Sequence, residues 1–313
     1  MKAIAMRYDV TLTIESHYPA AVSDARQMLH VRPRDGFNQR VERVRLRLSP
    51  EPSEAVEERD FFGNPADHLA FAGGHRSLRI EMKARVVVGA RPTRPEAGPT
   101  LADLAAQARS DHSLAPLAPA HFLGPSRMVD GTEAALPALG DELLGPGQQD
   151  AFDAVLGLAA GIKAAFRYSP GTTAIDTPLA DVARTRSGVC QDFTHLSIAL
   201  LRNRGVPAAY ASGFLRTDPP PGQPRRAHAD AMHAWFLAWL GTDAGWIGFD
   251  PTNGIVVGPD HILVAVGRDY ADVAPISGVL VTAGPQSAGH SVDVVPVEEP
   301  RAEIQKAFTS GRL

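Results

Sequence analysis

Three residues that can share acyl-transfer chemistry stand in order along the second half of this 313-residue chain: Cys190, His233 and Asp250. Cys190 is the only cysteine. A cysteine attacks as its thiolate, which is favoured where the unpaired N–H groups and positive dipole end of a helix point at it. The stretch from Gly188 to Gly205 reads as such a helix. Phe193, Leu196 and Leu200 share one side, Asp192 stands in the first turn, and Arg202 and Arg204 stand in the last. Gly205 followed by Pro207 stops it, which puts Cys190 at the N-terminal end. A free cysteine is otherwise a small buried hydrophobe, and placement alone leaves both readings open. Gly188 before it and the polar Gln191-Asp192 pair after it favour exposure.

A nucleophilic thiol needs a base, and the base needs a group that orients it. His233 lies in Asp230-Ala-Met-His-Ala-Trp-Phe236, near the start of a strand, and Asp250 in Gly248-Phe-Asp-Pro-Thr-Asn253, at the end of the next. If Trp239 pairs with Trp246 across the intervening hairpin, Asp250 falls opposite Trp235. It is then on the face of His233 and diagonal to it, within reach of a carboxylate–imidazole bond. A register slipped by one residue sends the two to opposite faces. The plain alternatives are a satisfied core histidine for His233 and a turn cap before Pro251 for Asp250. His195, five residues beyond Cys190 on one helix, is rotated away and displaced along the axis, so a packed or a surface role is expected. His228 is expected to be a solvated loop residue, or one that touches substrate.

Composition limits the classes of function. Apolar residues make up 44% and charged residues 21%, as in an ordinary globular protein. A net charge of −4 offers no basic field for nucleic acid or anionic membrane. Arg40, Arg43, Arg45 and Arg47 alternate with Val and Leu and read as one solvated strand face. A lone cysteine excludes an intramolecular disulfide and a CxxC-type zinc site. The histidines form no tight local ligand pair, and neither a calcium-loop nor a phosphate-loop pattern occurs, so neither metal nor cofactor is expected. The N-terminus lacks an unbroken apolar signal region, and no apolar run approaches the ~20 residues of a membrane span. Cytoplasmic residence is the expectation.

The elements that must position these residues fall into two units, of the α+β class. Residues 1–90 read as an antiparallel β-sandwich. Tyr8, Val10, Leu12 and Ile14 alternate with polar residues, Val44, Leu46 and Leu48 repeat the pattern, and Gly73-Gly74 reads as a hairpin turn between His68–Phe71 and Leu78–Val88. Residues 91–147 are a connector rich in Pro, Gly and Ala, with one short helix over Leu101–Ala108. The second unit, 148–300, opens with a helix spaced by Phe152, Val155, Ala159, Ile162 and Phe166. After the Cys190 helix come a strand over Ala208–Phe214 and a polar, Pro-rich loop over 217–230, whose length and Pro-Gly content suit a mobile lid, though the sequence does not decide whether it covers the cleft. The hairpin of His233 and Asp250 follows, then C-terminal strands around Ile262–Val266 and Val279–Thr282. Residues 301–313 are a tail.

Gly188-Val-Cys190-Gln-Asp-Phe193, His233-Ala-Trp235 and Asp250-Pro-Thr252, in that order, resemble the bacterial transglutaminase-like superfamily. The resemblance implies a papain-like, circularly rearranged α+β core in which Cys190, His233 and Asp250 form the catalytic triad. Asp60-Phe-Phe-Gly-Asn64 and the segment to Val88 resemble the β-sandwich domain that precedes this core in bacterial members. Gly267 to Pro275 and Gly278-Val-Leu280 resemble the family's ending. Ala209 and Phe214 depart from it, since members often carry Arg and Tyr in that strand, and the Cys-Gly-Ser-Cys-Trp context of papain is absent. The implied reaction is attack of Cys190 on a peptide or protein amide, giving a thioester. Water as acceptor makes a hydrolase, the favoured reading because bacterial members are more often protease-like. An amine as acceptor makes a protein-glutamine acyltransferase. A non-catalytic binding protein on the same fold is the rival from another class.

Overall fold

The computed structural model describes residues 5–94, 98–218, 222, 228 and 230–298. Most of the Pro-rich loop over 217–230, and the whole tail over 301–313, lie outside the described residues.

The first unit is built on two very long strands, β1 (Met6–Leu29) and β4 (Pro65–Val88), with β2 (Gln39–Ser49) and β3 (Glu54–Arg59) between them. All pair antiparallel: β1 with β4, β2 with the second half of β4, and β3 with the first. Alternation drives burial in each half of β1, but the phase changes midway. Tyr8, Val10, Leu12 and Ile14 are buried in the first half, and Ala25, Gln27 and Leu29 in the second. The change falls at register shifts between His17 and Asp24, which insert extra residues and re-aim the strand. The matching bend in β4 is Gly73-Gly74. It is a correction to the expected hairpin: His68–Phe71 and Leu78–Val88 belong to one continuous strand, with Gly73 at φ +122° inside it. A glycine inside a strand marks a bend as readily as a turn.

The connector carries more helix than its composition suggests. Thr100 caps α1 (Leu101–Ser110) in a reciprocal arrangement with Asp103. A short 3-10 turn follows at Pro119–Phe122, and then α2 (Leu136–Leu144). The second unit proper opens with α3 (Ala151–Ala165), capped by Asp150. Next come β5 (Arg167–Tyr168), α4 (Leu179–Thr185) and β6 (Ser187–Gly188), which pairs parallel with β5. These lead into α5 (Cys190–Asn203), β7 (Ala208–Leu215) and β8 (Ala231–Trp239). The one-turn α6 (Gly241–Ala244) joins β8 to β9 (Trp246–Asp250), followed by β10 (Ile255–Val256) and β11 (His261–Gly267). The resulting sheet has the order β10-β9-β8-β7-β11. After the one-turn α7 (Tyr270–Val273), β12 (Ile276–Val281) and β13 (Ser287–Pro296) return to the first unit and pair with β1. Among the described residues, no helix is long and apolar enough to cross a membrane.

The exposed edge of β11 is covered by side chains of the first unit. Gln39 donates to the Leu263 carbonyl and accepts from the Leu263 N–H, both at 2.8 Å. Asn64 repeats the arrangement on Val266, also at 2.8 Å each way. Each primary amide presents one donor and one acceptor, as a backbone peptide does, so together they stand in for a neighbouring strand. Asn64 is fully buried, donates again to Asp60, and accepts from Arg34 at 2.6 Å. Replacing Asn64 by Ala strands several buried partners at once, and the expected loss is about 3 kcal/mol of unfolding free energy. Urea denaturation checks this. A loss below about 1 kcal/mol would mean the amide contributes only an ordinary hydrogen bond.

Candidate active site

Asp192 fixes the start of α5. Its carboxylate accepts from the Val189 N–H at 2.7 Å and from Thr173 Oγ1 at 2.8 Å, bonding back to the residue that precedes the helix. A β-carbon on Gly188 would sit 2.7 Å from that carboxylate, so glycine is the residue that leaves room for it. Cys190 is therefore the first residue of a pinned helix end, and it is partly exposed. Helix α5 packs on β7 and β8, and its far end is tied down by buried Arg202, which donates to the carbonyls of Ala208, Gly124 and Arg268.

The β8–β9 ladder has the register the sequence argument required, with Trp239 opposite Trp246. His233 Nε2 lies 2.9 Å from Asp250 Oδ2. Asp250 is fully buried and its two oxygens do different work. Oδ1 accepts from the backbone N–H groups of Thr252 and Asn253 and so caps the turn after the strand. Oδ2 accepts from His233, from Asn253 Nδ2 at 2.6 Å, and from His261 Nε2 at 3.1 Å. One side chain thus both caps the turn and contacts His233.

His261 was not foreseen as a member of this group. It stands on β11, three strands from β9 in pairing order. In a flat sheet that separation is about 14 Å, so a 3.1 Å contact requires the sheet to curl around the cluster. The edge-on packing of Trp235 against the His261 ring, with centroids 5.2 Å apart, fits the same curl. The Gly258 N–H points at His261 Nδ1, which leaves Nε2 to carry the hydrogen that goes to Asp250.

Burial alone would raise the Asp250 carboxyl, but hydrogen bonds from the two imidazoles and the charge of His233 outweigh it and hold Asp250 below the usual carboxylate range. Burial alone would pull His233 down. The bond to Asp250 and the neighbouring Cys190 side chain outweigh that as well, raising His233 from 6.5 to about 10. Because Nε2 is committed to Asp250, Nδ1 is the nitrogen left for Cys190. Cys190 and His233 line one cleft with Tyr210, Ser212 and Tyr270. Burial, and secondarily the charge of Cys190, pushes the Tyr210 hydroxyl well above its ordinary value, so it stays a donor. The alternation of Tyr210 with Ser212 along β7 is the sequence signal that could have singled them out.

His195 is not part of the group. It is buried, stacks near Tyr210, accepts from the Tyr270 N–H, and is lowered by burial to about 4. His228 is exposed and lies 3.1 Å from Asp293. His233, Asp250 and His261 are the set of ligand-type atoms close enough together to take a metal ion among the described residues. Both rings place Nε2 against one carboxylate oxygen, Asp250 Oδ2, an arrangement also suited to holding an imidazole in place.

Residues 8–87 match the model of the bacterial transglutaminase-like N-terminal region, and residues 137–251 that of the transglutaminase-like superfamily. An uncharacterized protein of Mycobacterium tuberculosis is 36% identical over 305 residues, covering 93% of each chain. One of Mycobacterium leprae is 40% identical over 128 residues, or 40% of this chain and 44% of that one. A solved structure from Cytophaga hutchinsonii, described as a candidate cysteine protease, aligns with a TM-score of 0.72 at 24% identity, covering 95% of this chain and 92% of that one. At that identity the likeness shows a shared fold.

The raised His233 has a consequence for stability. Its folded value of about 10 lies above its ordinary 6.5, so its contribution is fully present below pH 6.5 and is lost as pH rises through 10. Unfolding free energy, measured by urea titration at a series of pH values, is expected to fall across this window. In His233→Gln that part of the fall should be missing.

Proposed function

This chain belongs to the bacterial transglutaminase-like superfamily, and from that premise we propose that it is a thiol-dependent hydrolase of peptide or protein amides. The observation that carries the reading is the placing of a partly exposed cysteine at a helix start beside His233, whose ring is bound to a buried carboxylate that a second imidazole also contacts. Cys190 and His233 act as thiolate and imidazolium, with Asp250 holding the ring and balancing its charge. Sγ attacks the amide carbonyl carbon, and the oxygen takes up the negative charge. The Cys190 N–H at the start of α5 is the natural first donor to that oxyanion. His233 then gives its proton to the leaving amine as the C–N bond breaks, which leaves a thioester on Cys190. A water molecule, losing its proton to His233, adds to the thioester and releases a carboxylate and the free enzyme.

Transfer to a primary amine instead of water uses the same parts and gives a new amide. The two outcomes separate in water enriched in oxygen-18 with a primary amine added. A peptide mixture incubated with the protein and read by mass spectrometry is expected to yield new carboxylates carrying one heavy oxygen. Amine adducts alone would mark an acyltransferase. Cys190→Ala and His233→Ala are expected to lower turnover at least about a thousandfold. Intact peptides, with no thioester on Cys190, would leave the binding-protein reading standing.

A further inference from the structure

The cleft beside Cys190, about 320 Å³ in volume, has a second wall that the chemistry does not use. It comes from the first unit's sheet: Ile14 of β1, Ile276 of β12, and Ala288 to His290 of β13. Among the described residues, no Asp, Glu, Lys or Arg lines this cleft.

Strand β13 pairs with β1 along one edge, with Val292 opposite Leu12 and His290 opposite Ile14. In an antiparallel strand the N–H and C=O of one residue point to the same side, and successive residues alternate. The Val297 N–H donates to Arg7 of β1, so the odd-numbered residues of β13 face β1. The Val294 N–H accordingly points outward, where it donates to Asp230 at 2.6 Å. Val292 is bridged by the same Asp230. By that alternation the backbone groups of His290 and Ala288 also point outward, and among the described residues nothing is bonded to them. Their side chains share the face of buried Val292 and Val294, which runs out into the cleft as Ala288 and His290. From Ser287 to Ser291 this edge carries neither proline nor lysine, the usual protections against strand addition. Five residues of strand span about 17 Å.

We propose that the substrate is an extended polypeptide segment that adds to β13 as a strand. Its main chain pairs with Ala288 and His290, and its uncharged or apolar side chains lie against Ile14 and Ile276. This deepens the reading of Cys190 as the nucleophile and rests on it for the chemistry that follows binding. A small amide would leave the open backbone groups of β13 unpaired, whereas a strand satisfies them and delivers a peptide bond to the cleft that holds the thiol.

The test uses the full-length Cys190→Ala protein and a fluorescein-labelled ten-residue peptide alternating valine and serine, with binding read by anisotropy. Two further peptides carry N-methyl groups on alternate amides, one in each phase. The expected result is binding of the parent, at least tenfold weaker binding for one methylated phase, and near-parental binding for the other. Ala288→Pro, which removes an outward N–H and no bond to β1, should weaken the parent at least tenfold with an unchanged unfolding midpoint. Equal binding of all three peptides, no binding of the parent, or a dimer in light scattering that occupies this edge would each overturn the proposal. The nucleophile reading is tested separately by the burst of p-nitrophenolate from p-nitrophenyl acetate with the wild-type protein. A missing burst beside phase-dependent peptide binding overturns that reading and supports the strand.

Discussion

The structure around the cleft depends on one buried carboxylate. Asp250 is fully out of water, and a charged group there is tolerable only if its lone pairs are occupied. Five hydrogen bonds occupy them: two backbone N–H groups on Oδ1, and Asn253 with two imidazoles on Oδ2. That requirement fixes the turn after β9, the β8–β9 register, and the curl that brings β11 close. It also explains why His233 carries its proton over so wide a range of pH. The neighbouring carboxylate outweighs the burial that would otherwise strip the proton from the ring.

The second dependence is the docking of the two units. The first unit covers the edge of β11 with Gln39 and Asn64, and β11 carries His261 to Asp250. The second unit returns β12 and β13 to β1. The cleft therefore has walls from both units, and the orientation of His233 is linked through Asp250, His261 and β11 to a loop near residue 64. Phe62, beside that loop, packs with Phe122 against Trp235 and Leu263 on the same face of the sheet.

Much of the site was legible in the sequence because its parts are local. The helix that begins at Cys190 is marked by its own residues: Asp192 in the first turn, Gly205 and Pro207 at the stop. The diagonal of His233 and Asp250 follows from a short hairpin whose two tryptophans suggest the register. His261 was not legible, because its approach to Asp250 depends on how far a five-stranded sheet curls, and no local pattern encodes that. The partners of β12 and β13 were hidden for the same reason: pairing with β1, at the other end of the chain, leaves no short-range signal. Gly73-Gly74 misled in the opposite way. The same residue pair serves a reversal and a bend, and only the continued pairing of β4 with β1 on both sides decides between them.

The central claim is that Cys190 is held as an activated thiolate by His233, and its direct measure is the rate of carboxymethylation by iodoacetamide at pH 6, where an ordinary thiol is almost wholly protonated. Cys190 is expected to react far faster than a free cysteine under the same conditions, and His233→Ala to remove that advantage. A rate no faster than that of a free thiol, unchanged in the His233 variant, would contradict the claim.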